Sequence, residues 1–158
     1  MAADRKAPWP LIFGALAVVA LAATWWHFRD YFEPPQAQRL PLDDCDLNQG
    51  PCSRKLPGGG RLTFEIQPRP VPVVEPLRLL VQVEGVEPRK VEVDFAGVSM
   101  NMGYNRPRLE RAGPGKWRGE GMLSVCIRDR MDWEAQVLLH LPDKVLAVPF
   151  RFDTLKNR

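Results

Sequence analysis

Sulfur is the most distinctive chemistry on offer in this sequence. Met100 and Met102 stand in the stretch from Val98 to Pro107, which is rich in Asn and Gly. On an extended chain, residues at i and i+2 face the same side, so the two thioethers can close on one soft ion. Gly103 permits a sharp bend there, and Pro107 fixes the return. Cys126 and Met131 flank the turn Ile127-Arg-Asp-Arg130, between two predicted strands. Loops after the third and fourth predicted strands can meet at one end of a β-sandwich. The candidate ligand set is therefore Met100, Met102, Cys126 and Met131. Thioether and thiolate donors select Cu(I) over harder ions. The competing explanation is packing, since Met is an ordinary core filler and Met131 lies on an apolar face. Met122, between Gly121 and Leu123, is a reserve ligand. His27 and His140 are the only histidines, which leaves no multi-histidine metal site. His140, near a strand end, reads as a surface residue.

Cys45 and Cys52 lie seven apart, with Gly50-Pro51 supplying a turn between them. In an oxidising compartment such a pair closes as a disulfide. Zinc is the rival, but no second ligand pair accompanies them. Cys126 is then left over. Nothing points to catalysis. There is no nucleophile elbow and no phosphate-cradling Gly-rich loop before a helix. Cys45 and Cys52 do not make the Cys-x-x-Cys of a thiol oxidoreductase. Asp43-Asp44 sits in a Pro-rich approach where solvation explains it. The chain reads as a non-enzyme.

The elements that would position these residues are strands. Arg61–Gln67 alternates with Leu62, Phe64 and Ile66 on one face, the period-2 pattern of a half-buried strand. Further strands are predicted over 77–83, 89–95, 116–127, 131–141 and 144–152. The fourth places Trp117, Leu123 and Val125 together, and the fifth aligns Met131, Trp133, Ala135, Val137, Leu139 and Leu141. Turn signals separate them at 58–60, 86–88, 113–115 and 141–143. Short alternating strands at this spacing predict an all-β, antiparallel sandwich.

The head of the chain sets the compartment. No formally charged residue occurs from Ala7 to Phe28, and a helix of this length, roughly 33 Å, matches a ~30 Å hydrocarbon core. Trp9, Trp25 and Trp26 flank it, as interfacial aromatics do. Arg5 and Lys6 precede it, which places the N-terminus in the cytoplasm. The organisation expected is a cytoplasmic stub at 1–8, a transmembrane anchor at 9–28, a Pro-rich linker with the Cys45/Cys52 loop at 29–57, and an exported sandwich at 58–158. A cleaved signal peptide ending near Ala20-Leu-Ala22 is the rival, but the Trp-Trp-His-Phe that follows prolongs the apolar run. The 158 residues carry a formal charge of +3, and residues 41–158 carry +2 with both signs interspersed. That argues against nucleic-acid binding, which needs a concentrated basic stripe.

Three stretches together resemble the YtkA/FixH-like family: Met100-Asn-Met-Gly-Tyr-Asn-Arg-Pro107, Gly115-Lys-Trp-Arg-Gly119 and Met131-Asp-Trp-Glu-Ala-Gln-Val137. They are similar to that family's M-x-M-G, G-x-Y/W-x-G and W-E-A-x-V patterns, over roughly residues 60–152. The resemblance implies a membrane-anchored, immunoglobulin-like domain on the export side of a bacterial inner membrane. It implies copper handling or assembly of the copper site of haem-copper oxidases. Met100 and Met102 match the family's methionine stretch, whereas Cys126 is not part of its general pattern. Two functions follow as expectations. One is a periplasmic Cu(I)-binding domain exchanging metal with a donor, an acceptor or an oxidase subunit. The other is a metal-free accessory subunit of a membrane complex.

Overall fold

The computed structural model describes residues 9–32, 37–124 and 129–155. It divides into two units, 1–35 and 36–158. The first contains helix α1, Trp9–Phe32. Its described side chains, 13–26, include Phe13, Leu16, Val18, Val19, Leu21, Trp25 and Trp26, all well exposed. A helix apolar on every side has no amphipathic face to bury against a core. Among the described residues no helix is long and apolar enough to cross a membrane. The stretch 13–26 is only about 21 Å long, and the ends of the expected 9–28 span lie outside it.

The second unit is all-β, with strands β1 Ala37–Arg39, β2 Cys52–Lys55, β3 Arg61–Gln67, β4 Leu77–Glu84, β5 Lys90–Gly97, β6 Arg108–Gly113, β7 Lys116–Gly121, β8 Arg130–His140 and β9 Val145–Leu155. They form one curled sheet in the order β1-β9-β8-β5-β6-β7-β4-β3-β2. Every neighbouring pair is antiparallel except β1 with β9. Its two halves enclose a core in a sandwich-like arrangement, and Phe64 of β3 reaches Phe150 of β9 with ring centroids 5.5 Å apart. The alternation read in the sequence holds: Leu62, Phe64 and Ile66 are buried on β3, and Met131, Trp133, Ala135, Val137 and Leu139 on β8. Trp133 Nε1 donates to Thr154 Oγ1 at 2.9 Å, so its one polar atom is satisfied in the core.

Two expectations are corrected. From residue 37 the supposed linker 29–57 is part of the domain. Leu40 N donates to Ala147 O at 2.9 Å, Leu47 N donates to Arg151 O, and Leu47 and Cys52 are fully buried. Arg54 reaches back to donate to Pro41 O at 2.7 Å and pairs with Asp43. The stretch keeps most of its polar side chains in solvent while Leu40, Leu47, Cys52, Arg54 and Leu56 are buried. The second correction concerns the fourth strand, which ends at Gly121 rather than at 127. Leu123 is still buried, but from a loop whose carbonyl accepts from Val74 N at 2.9 Å. Val125 lies outside the described residues.

Candidate metal centre

The loop bearing the methionines leaves β5 at Gly97, which pairs with Trp133 of β8. Val98 N then donates to the Asp132 carbonyl at 3.0 Å, which pins the loop's first residue beside the start of β8, next to Met131. Residues 98–100 bend instead of running extended, as the sequence reading had supposed. Gly103 takes a φ of 81°, where a side chain would be strained, and its N–H donates to Asn101 Oδ1 at 2.8 Å. The chain then returns along β5, with Phe95 N donating to Asn105 O at 2.9 Å and Val93 N to Pro107 O at 3.0 Å.

This path brings methionine groups onto Gly97. A Cβ placed on Gly97 would stand 2.5 Å from the Met100 carbonyl oxygen and 3.0 Å from Met102 Cγ, with Met131 Cε nearer still. The thioether arms of Met102 and Met131 therefore share one small volume that glycine keeps open. Met131 is 2% exposed, whereas Met100 and Met102 are half-buried against the core. Of the expected ligands, the structure brings side-chain carbons of Met102 and Met131 to Gly97. It brings Met100 to the same point through its main chain, and Cys126 lies outside the described residues. A concave surface on the outer side of this loop is lined by residues 96–103.

The surroundings are polar but balanced. Arg106 Nη2 lies 2.8 Å from Asp94 Oδ2, and that hydrogen bond raises the pKa of Arg106 against the opposing effect of burial. Its guanidinium also stacks 5.4 Å from the centroid of the Tyr104 ring. His140 is engaged elsewhere: Nε2 lies 2.8 Å from Glu92 Oε2, and the ring is half-buried rather than on the surface as expected. Among the described residues no group of three or more His, Cys, Asp and Glu side chains could hold a metal ion. Neutral thioethers are poor ligands for a hard or borderline ion and good ones for Cu(I), so the residues gathered at Gly97 fit a soft monovalent ion.

Gly97 was not singled out in the sequence. Its signal was a glycine at the end of a strand pattern, which marks close approach by another group. The cysteine pair is as expected: Cys45 and Cys52 form a disulfide with Cα atoms 5.9 Å apart. It borders an open cleft with Asp43, Asp44, Asp46, Asp132 and Asp153, among which Arg130 and Arg151 are set. No protein-family model, curated protein or solved structure matches the chain.

Proposed function

We propose that this chain is a membrane-anchored, exported domain that holds Cu(I) on methionine sulfur and passes it on. The destination would be a copper acceptor or the copper site of a haem-copper oxidase at a bacterial inner membrane. The observation that carries the reading is the meeting of Met102, Met131 and the Met100 loop at Gly97. Cys126 completes the ligand set as a thiolate. The resemblance to YtkA/FixH-like proteins, carried partly by the same methionine stretches, points the same way. So does the disulfide, because such bonds persist in oxidising compartments. The anchor is the apolar run 9–28, with the N-terminus in the cytoplasm. The fold in this reading is an immunoglobulin-like sandwich, supported by the antiparallel halves and by the parallel pairing of β1 with the last strand.

Binding is tested with the full chain in detergent micelles, labelled at its methionine methyls, which number five. Ag(I) serves as a diamagnetic stand-in for Cu(I). The methyl signals of Met100, Met102 and Met131 should move together within the first equivalent while that of Met1 stays fixed. No movement at these three would refute the site. A reporter active only outside the cytoplasm, fused after Arg158, should work, and a working cytoplasmic reporter there would refute the orientation.

The 2% exposure of Met131 favours a second reading, in which the methionines only pack. In that case the domain is a metal-free accessory subunit of a membrane complex. Replacing Met102 by Leu keeps the apolar volume and separates the two: it weakens Ag(I) and Cu(I) binding in the first and changes nothing in the second.

A further inference from the structure

A thioether has no proton to lose, so among methionines the exposure to solvent decides which one a peroxide oxidises. The methionines of the sandwich unit are graded in this respect. Met122 is 54% exposed and Met131 only 2%. Met100 and Met102 lie between these limits, in a loop whose other residues Val98, Ser99, Asn101, Gly103 and Tyr104 are exposed.

Met102 is the informative member because it has two sides. Outward, it lines the open concave surface formed by residues 96–103. Inward, its Cγ comes within 3.0 Å of the Cβ position at Gly97, where the loop closes. Oxidation to the sulfoxide turns this flexible apolar arm into a polar one. The new oxygen then needs a hydrogen-bond donor, and burying it without one is costly. The three groups nearest that point, Met131 Cε, the Met100 carbonyl oxygen and Met102 Cγ itself, offer none. Water on the outer side does. An oxidised Met102 is therefore drawn outward, and the loop leaves Gly97 with it. The hydrogen bond from Val98 N to the Asp132 carbonyl, which pins the first residue of the loop, reports that opening.

We propose that Met102 is a reversible oxidation site for peroxides, and that its sulfoxide releases the loop from Gly97. In the step, Met102 Sδ attacks one oxygen of hydrogen peroxide. The S–O bond forms as the O–O bond breaks, the proton on the transferred oxygen passes to the departing hydroxide, and water leaves. Sulfur is oxidised by two electrons and the peroxide is reduced by two. A methionine sulfoxide reductase reverses the change, its thiols supplying two electrons and the oxygen leaving as water. The opening rests on the contact at Gly97 alone. Its consequence for metal, that oxidation removes a soft thioether donor and lets Cu(I) go, rests on the Cu(I)-binding reading above.

The test treats the reduced, metal-free full chain in detergent micelles with graded hydrogen peroxide, stops the reaction with catalase, and reads each methionine by peptide mass spectrometry. Met122 should oxidise first and Met102 next, with Met102 at least about tenfold faster than Met131. In chains carrying Met102 sulfoxide, amide exchange at Val98 should quicken about tenfold while Val137, in the middle of β8, stays protected, because the opening is local. Methionine sulfoxide reductase should restore the slow exchange, a comparison that needs no substitution. Met102→Leu should keep Val98 protected after the same dose, although Met122 still oxidises. Oxidation of Met131 before Met102 overturns the proposal. So does unchanged Val98 exchange in chains carrying the Met102 sulfoxide, or an equal loss of protection in oxidised Met102→Leu, since another residue would then be responsible. Ag(I) binding should be lost on oxidation of Met102 and return on reduction; full affinity in the oxidised chain overturns the release of metal. A reduced wild-type chain that takes up no Ag(I) overturns the binding reading alone, and the oxidation site stands or falls on the exchange data.

Discussion

Replacing Gly97 by Ala isolates the geometry on which the proposed site depends. The added methyl would stand 2.5 Å from the Met100 carbonyl oxygen and 3.0 Å from Met102 Cγ, with Met131 Cε closer. Carbon contacts reach their optimum near ~3.5–4.0 Å, so something must move. Met102 is half-buried and can swing away. The Met100 oxygen is main chain in a loop pinned by the Val98–Asp132 hydrogen bond, and Met131 is enclosed in the core. Overpacking of this kind costs roughly 1–3 kcal/mol. The lower backbone entropy of Ala in the unfolded chain offsets about 0.5–1 kcal/mol of that. We expect a net destabilisation of about 1–2 kcal/mol, read as a lower urea midpoint with an unchanged slope. Cu(I) affinity should fall as well, because the methyl occupies the volume the two thioethers share. Met131→Leu removes the terminal methyl that lies nearest, so in a double-mutant cycle it should recover part, though not all, of the Gly97→Ala cost. A Gly97→Ala variant as stable as wild type, or more so, would show that the loop does not close on Gly97, and the argument for the site would fail with it.

Removing the disulfide by Cys45→Ala with Cys52→Ala should cost about 2.5 kcal/mol by the loop-closure relation for so short a loop; the wild-type chain, alkylated without reduction, should carry one blocked thiol by mass. A chain starting at residue 41 should be less stable than one starting at residue 36 by roughly 2 kcal/mol, the worth of burying Leu40, because it also loses β1 and the Arg39–Glu134 contact at 2.9 Å; equal urea midpoints would return residues 37–40 to the role of a spacer. Burial opposes the charge on Glu92, but hydrogen bonds from Lys90 and His140 outweigh it and hold its pKa below 4.5. A carboxylate depressed on folding contributes stability that is fully present above its unfolded pKa and is lost as pH falls through the folded value. Glu92→Gln should therefore flatten the acid arm of the stability curve below about pH 4.5 and leave its slope at neutral pH unchanged.

Strict alternation made β3, β4, β5 and β8 legible in the sequence, because a period of two puts every apolar residue of a strand on one face and a slip of one would expose them all. The cysteine pair was legible for a different reason: seven residues with a Gly-Pro turn leave few ways to keep two thiols apart. The Met100 and Met131 stretches could be flagged by residue type and expected at one end of the sandwich, but the contact through Gly97 could not be read. It depends on the register that sets Gly97 opposite Trp133 and on the Val98–Asp132 hydrogen bond, which joins residues far apart in the chain. Three strands carried no readable pattern. β1 buries none of its three side chains and exists through main-chain bonds to β9. β6 turns only Leu109 inward, and β2 alternates a cysteine with an arginine. The end of β7 was misread because Leu123 is buried as a strand residue would be, yet its backbone partner is Val74 in a loop. Local sequence determines which residues seek the interior; which backbone they meet there, and so which methionine side chains approach Gly97, is decided by the closing of the sheet.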